Sequence, residues 1–286
     1  MKTLSFRLPI LLALILIPLL ASTAHGAVLY GSAPIATGAP VSATYEMQTD
    51  ASPSSPYYTG DSFQGLAAYN SEIYGLNLVN ELVRLIGPVS HYTIGTVTNN
   101  GDQISSLGGL AFNSGGSLYA AGNDPILYGL DPTTGAVTST ANLIAPSPVT
   151  GLSFATGGAA GSSIGGHVLE EDDLLAVTDT ELLLLLLDEL TGDYLPIPLW
   201  QMPGLSSIAF DDDGRLYVGT STGLMEWDFG TNTLGSVEVP GPGLDLPAAT
   251  FTGLTSMGTP LATPEPSTFL LLGTALIGLY GLRRRF

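Results

Sequence analysis

The chain of 286 residues contains no cysteine. That excludes disulfides, a thiolate nucleophile and Cys-ligated zinc or iron–sulfur centres. Positive charge is scarce: 7 Lys+Arg stand against 25 Asp+Glu, a formal net charge of −18. Charged residues make up 11% of the chain, where ordinary globular proteins carry ~25%. These deficits exclude a coiled coil, a charge-rich disordered protein and a nucleic-acid binder, because contact with phosphates runs through Lys and Arg. Histidine is limited to His25, His91 and His167, too few and too scattered for a metal triad or a triad with serine. No Gly-rich turn is followed by a Walker-type lysine.

The few cations are placed unevenly. Lys2 and Arg7 lie at the N-terminus, and Arg283, Arg284 and Arg285 at the C-terminus. Residues 27–264 hold only Arg84 and Arg215 against 24 acids, a net charge of −22. Such a body is repelled by nucleic acid and by anionic lipid headgroups. Cations, cationic polymers and neutral glycans remain open as partners.

Long apolar runs occur only at the two ends. In residues 1–26 a positive start (Lys2, Arg7) leads into the apolar stretch Leu8–Leu20, then into small residues. Ala24-His25-Gly26 before Ala27, or Ser22-Thr23-Ala24 before His25, suits signal peptidase. The pattern predicts a secretory signal peptide with the mature chain starting at Ala27 or His25. At the other end, Pro264-Glu265-Pro266-Ser267 precedes a Leu/Gly-rich span that stops at Arg283-Arg284-Arg285. Ser267–Leu282 is near the ~17-residue lower limit for a membrane-spanning helix. The arginines would stay cytoplasmic, leaving the body outside.

This C-terminal segment resembles the PEP-CTERM sorting signal of Gram-negative bacterial exported proteins. The resemblance rests on Pro264, Glu265, Pro266 and Ser267, the apolar span and the terminal arginines. Thr263 departs slightly from the small or apolar residue usual before the first proline. The resemblance implies transient anchoring in the inner membrane and processing by exosortase at the tripeptide. It implies delivery to the cell surface or extracellular polymer, and says nothing of what the body does.

The body repeats. Gly65-Leu66-Ala67-Ala68, Gly109-Leu110-Ala111-Phe112, Gly151-Leu152-Ser153-Phe154, Ser207-Ile208-Ala209-Phe210 and Gly253-Leu254-Thr255 share one pattern. Their starts are 44, 42, 56 and 46 residues apart. A period near 40–50 with several short strands per unit predicts β-propeller blades. Within a unit, Asp131-Pro132-Thr133-Thr134-Gly135 is a strong turn, and Asp188–Asp193 and Asp228–Thr233 repeat it. These stretches loosely resemble NHL/YVTN-like propellers. Ala27–Met47 has strand-like pieces without its own opening. The two ends are therefore expected to share a blade, with Ala27–Met47 pairing near Thr250–Ser256.

The expectation is an all-β propeller of five four-stranded blades, with four or six blades as variants and a β-sandwich or irregular solenoid as the alternative. The domains are residues 1–26 as signal peptide, 27–260 as propeller body and 261–286 as sorting segment. Glu181–Asp188 reads as a strand buried on both faces, since its six leucines are too few to span a membrane. Gln48–Thr59 and Ala155–Gly166 read as surface loops.

Among candidate sites, Asp211-Asp212-Asp213-Gly214 could supply oxygens to Ca²⁺. The spacing falls short of an EF-hand, since Thr222 stands at the twelfth position, and the cluster lies where other blades have a plain turn. Glu170-Glu171-Asp172-Asp173 reads as a solvated charge run. Trp200, Trp227, Tyr57 and Tyr58 read as core or rim aromatics before sugar-stacking ones. The function expected is an exported binding or structural propeller with no evident catalytic site and no cofactor. Its partners would be signal peptidase and exosortase during export, the inner membrane transiently, an extracellular glycan and no nucleic acid. The alternative is a lactonase- or glycosidase-like propeller hydrolase with a metal in the channel.

The prolines keep residues 264–266 extended and out of helix, a form suited to a protease cleft. Changing Pro264-Glu265-Pro266 to three alanines is expected to leave the protein membrane-bound and uncleaved in a host with exosortase. Deleting 264–286 should release a soluble body. Cell fractionation and product mass check this, and parental release of the triple-alanine variant would make the tail an ordinary anchor.

Overall fold

The computed structural model describes residues 28–34, 42–48, 55–60, 62–86, 90–237 and 251–257. Strands β1 (Val28–Pro34), β2 (Ser42–Gln48) and β3 (Ser55–Gly60) begin the first blade. Blade two is β4 (Phe63–Tyr69), β5 (Glu72–Asn77), β6 (Glu81–Leu85) and β7 (His91–Thr96). A small hairpin, β8 (Thr98–Asn99) and β9 (Asp102–Gln103), leads to blade three: β10 (Leu107–Phe112), β11 (Leu118–Gly122), β12 (Ile126–Leu130) and β13 (Val137–Asn142). Blade four opens with β14 (Gly151–Phe154). An insertion carrying a hairpin of β15 (Ser163–Ile164) and β16 (His167–Val168) follows, then β17 (Leu174–Val177), β18 (Glu181–Leu187) and β19 (Tyr194–Gln201). Blade five is β20 (Leu205–Phe210), β21 (Leu216–Thr220), β22 (Gly223–Asp228) and β23 (Thr233–Ser236). The last strand, β24 (Gly253–Met257), returns to blade one and pairs antiparallel with β1, from Val28 opposite Met257 to Ser32 opposite Gly253.

The result is a five-bladed propeller of four-stranded antiparallel sheets, closed by the shared blade. The recurrent openings form its innermost strands, β4, β10, β14, β20 and β24. Each is the edge of its own sheet. Its second row of backbone N–H and C=O groups therefore faces the axis. The core lies between blades. Five clusters of buried side chains fill the five interfaces between neighbours. Strand alternation feeds both interfaces of a blade: Leu82 packs toward blade three and Val83 toward blade one. Leu182–Leu185 in β18 are all buried for this reason, as expected of a strand covered on both faces. Phe251, 1% exposed, anchors the incoming C-terminal strand against β1 and blade five.

The outer turns behave as their sequences predict. In the turn after β12, the Asp131 carboxylate accepts from the Thr133 N–H at 2.8 Å, and Gly135 takes φ +77°. The Thr133 hydroxyl, with further help from Thr134, holds the Asp131 carboxyl below its ordinary range. Asp188 and Asp228 repeat the device.

Two expected loops differ. Gln48–Thr59 contains most of the outer strand β3; Pro56 is tolerated because an outer edge needs no donor on its free side. Ala155–Gly166 is not a plain surface loop, since Ala155, Ala159 and Ile164 are buried in the interface of blades four and five. The predicted signal peptide, the linker and the apolar C-terminal span lie outside the described residues. Among those described, no helix is long and apolar enough to cross a membrane.

At the centre the inner strands approach backbone to backbone. A Cβ on Gly65 would lie 3.0 Å from the Leu110 nitrogen, one on Gly109 2.9 Å from that of Leu152, and one on Gly253 3.0 Å from that of Leu66. Gly151 meets the Ser207 Cα in the same way, at 2.9 Å. Backbone cannot yield as a flexible side chain can. Gly109→Ala is therefore expected to destabilise the protein by about 1–3 kcal/mol, the usual cost of overpacking. Gly235→Ala, whose new methyl would meet nothing closer than 4.0 Å, should stay within about 0.5 kcal/mol. Denaturant unfolding of the two variants checks the difference.

Candidate functional site

All five inner strands run toward the same end of the axis, and there they open into a pocket of about 550 Å³. Its floor is the layer of equivalent residues Leu66, Leu110, Leu152 and Leu254, whose side chains are buried between the blades. Below them the axis narrows to a void of about 10 Å³ bounded by the glycine layer, room for one water. The pocket is thus a blind funnel.

Position along the strands sets its chemistry. One register step above the floor come the small residues Ala67, Ala111, Ser153, Ala209 and Thr255. Higher up stand Tyr69, Phe112, Phe154 and Phe210. Tyr69 and Phe112 stack with ring centroids 5.1 Å apart, and Phe154 leans on Tyr119 at 5.3 Å. Asn70, Asn113, Glu171, Asp172 and Asp212 form the polar rim. Among the described residues no cation lines the pocket. The body's two cations are engaged elsewhere: Arg84 pairs with Glu72 at 2.8 Å, and the Arg215 guanidinium hydrogen-bonds Tyr217.

The insertion in blade four shapes this rim and braces three blades. Asp172, held at φ +68°, accepts from the Ser114 N–H at 2.7 Å and the Ser114 hydroxyl at 2.6 Å, reaching blade three. The Thr156 hydroxyl donates to the Asp211 carbonyl at 2.8 Å, reaching blade five. Asp173 pairs with His167 at 3.2 Å within the insertion. Two members of the acidic run Glu170–Asp173 are therefore structural ties, and Glu171 and Asp172 face the pocket. Sequence reasoning missed these rim positions. The available signal was the 56-residue spacing, which marks an insertion immediately after an inner strand.

Asp211 directly follows β20 and serves as a turn cap. Its carboxylate accepts from the Arg215 N–H at 2.8 Å, and its carbonyl accepts from the Gly214 N–H. Asn113 does the same in blade three, accepting from the Ser117 N–H at 2.8 Å. Asp212 reaches the pocket rim and Asp213 is exposed. Among the described residues no group of three or more His, Asp or Glu is placed to hold a metal ion. Trp227 is buried and meets Trp200 edge-on at 5.2 Å, in the core between blades four and five. Tyr57 and Tyr58 belong to β3. Pro264, Glu265, Pro266 and Arg283–Arg285 lie outside the described residues.

Comparison with protein families bears on those last positions. Residues 262–285 match the family described as the PEP-CTERM protein-sorting motif. The chain carries a PEP-CTERM tail. The motif indicates exosortase-dependent export and membrane-associated sorting, and a propeller fits a binding or structural role for the body. Among solved structures, the chain is similar to a protein of unknown function from Bacteroides caccae. Identity is 12%, over 74% of this chain and 72% of that one, with a TM-score of 0.39. No curated protein matches the chain.

Burial pushes the Asp211 carboxyl up from 3.8 to about 6, only partly offset by its hydrogen bond from Arg215. A carboxyl whose folded-state pKa is raised costs stability when ionised, so the cost is absent below about pH 4 and complete above about pH 6. Asn113 shows that an amide oxygen serves the same turn. Asp211→Asn is expected to stabilise the protein at pH 7–8 by on the order of 1–2 kcal/mol. The gain should shrink through pH 6 and vanish near pH 4. Thermal melts from pH 4 to 8 check this, and a gain independent of pH would exclude ionisation as its cause.

Proposed function

We propose that this protein is an exported, exosortase-sorted component of the cell surface or extracellular polymer that binds an uncharged glycan in its axial pocket. In this reading residues 1–26 are removed as a signal peptide, 27–260 form the binding body and 261–286 direct sorting. The observation that carries it is the composition of the funnel: aromatic walls, an amide and carboxylate rim, and no cation. Aromatic faces stack on the C–H faces of sugar rings, and carboxylates and amides accept from hydroxyls. The inner-strand edges add backbone donors and acceptors. A volume of about 550 Å³ falls in the usual range for small-ligand pockets, ~300–1,000 Å³. Acidic sugars and phosphorylated ligands are disfavoured, because their charge would meet Glu171, Asp172 and Asp212 with nothing to neutralise it.

Screening the purified protein on a glycan array tests the proposal. Binding is expected among neutral glycans and absent among uronate-rich or sulfated ones. Phe154→Ala should weaken it about tenfold or more, a loss of at least ~1.4 kcal/mol. Tyr92→Ala, on the outer strand β7 away from the pocket, should leave it unchanged. Binding confined to acidic glycans, or unaffected by Phe154→Ala, refutes the assignment. Recovery of the bound glycan in cleaved form would favour the hydrolase reading.

A further inference from the structure

The pocket and the last described residue, Met257, share one face of the propeller. Thr255, Ser256 and Met257, the last residues of β24, line the pocket mouth. The chain therefore leaves the fold at the rim of its own funnel. It also enters there, because Val28 pairs with Met257 across the antiparallel ladder. Beyond Met257, nine residues, 258–266, separate the fold from the apolar span that begins at Ser267. At ~3.3–3.6 Å per residue they reach about 30 Å at most. A body of about 230 residues has a radius of gyration near 17 Å and is some 45 Å across, so half its girth is about 70 Å. A tether fixed at the pocket face cannot pass round the body to let the opposite face approach the membrane.

We infer that the uncut protein keeps the mouth of its axial pocket on the side nearer the bilayer and never facing away from it, so that a bulky ligand reaches the pocket more slowly until the tail is cut. This rests on the tail acting as the membrane anchor proposed above. Sorting would then also control binding: the tethered precursor is kept from the polymer its released body can hold.

The absence of cysteine permits a direct test in the full chain inserted into phosphatidylcholine vesicles without exosortase. Glu171→Cys places a dye on the pocket rim, and Asn123→Cys places one in the turn between β11 and β12 at the opposite end of the blades. Energy transfer to a headgroup-attached acceptor is expected to be strong from position 171 and near background from 123. The rate of labelling by a maleimide on a 5 kDa (about) polyethylene glycol, relative to a small maleimide, should be at least about fivefold lower at 171 than at 123. Inserting about 30 flexible residues between Thr259 and Pro260 should abolish both differences. Equal or reversed transfer overturns the orientation. Equal labelling ratios, or differences that survive the longer tether, overturn the gating. Flotation with the vesicles is scored separately, and its failure refutes the anchor and the inference together, leaving the glycan assignment to its own test.

Discussion

Everything in this molecule depends on how closely five strands can approach one axis. At Gly65, Gly109, Gly151 and Gly253 the missing Cβ lets one inner strand lie against the backbone of the next. Ser207 takes the fifth place, buried and small. Those contacts set the diameter of the ring and hence the wedge each blade must fill. They also close the axis beneath the leucine floor, which turns a channel into a pocket. Side chains of ordinary size return immediately above, and the walls spread as the residues lengthen from alanine to phenylalanine.

Closure is the second dependence, and it is strongly non-local. Blade one is not complete until residues 253–257 meet residues 28–32. Such a pairing bears the loop-closure cost of nearly the whole body and is slow for that reason. Until it forms, the edges of β1 and of blade five's lateral face stay uncovered. Phe251 and the Thr252 hydroxyl, which donates to the Phe63 carbonyl at 2.6 Å, fasten the returning strand to blades five and two as well as one. The last strand therefore locks three blades with a few residues.

Much of this was legible in the sequence because its causes are local and repeated. Each inner strand needs a small residue, then a large apolar one, then another small one, and the demand recurs at every blade; blade count and closure follow from it. Turns such as Asp131–Gly135 were legible because a side-chain oxygen and a positive-φ glycine at fixed spacing act without help from the rest of the fold. β3 was obscured by its Ser55-Pro56 start, which an outer edge accepts and an inner strand would not, and by the Ser/Pro residues just before it. The pocket was hidden for a different reason. Its walls come from the ends of strands more than 40 residues apart, and its rim from an insertion whose tie, Asp172 to Ser114, spans two blades. No local pattern announces such a meeting. Asp211 stood out as a charged triplet, yet its carboxylate does the work of an asparagine amide.

The scarcity of basic residues has a last consequence, for an exported chain. Proteases of the trypsin kind cut after Lys or Arg and need several residues of free, extended chain. The body offers them two places. Arg84 lies in β6, hydrogen-bonded to a strand on either side. Arg215 closes the turn that Asp211 pins from both its side chain and its backbone. Neither bond can enter a protease cleft unless part of a blade first comes apart. The body therefore offers this class of protease few places to begin, because of residues it lacks.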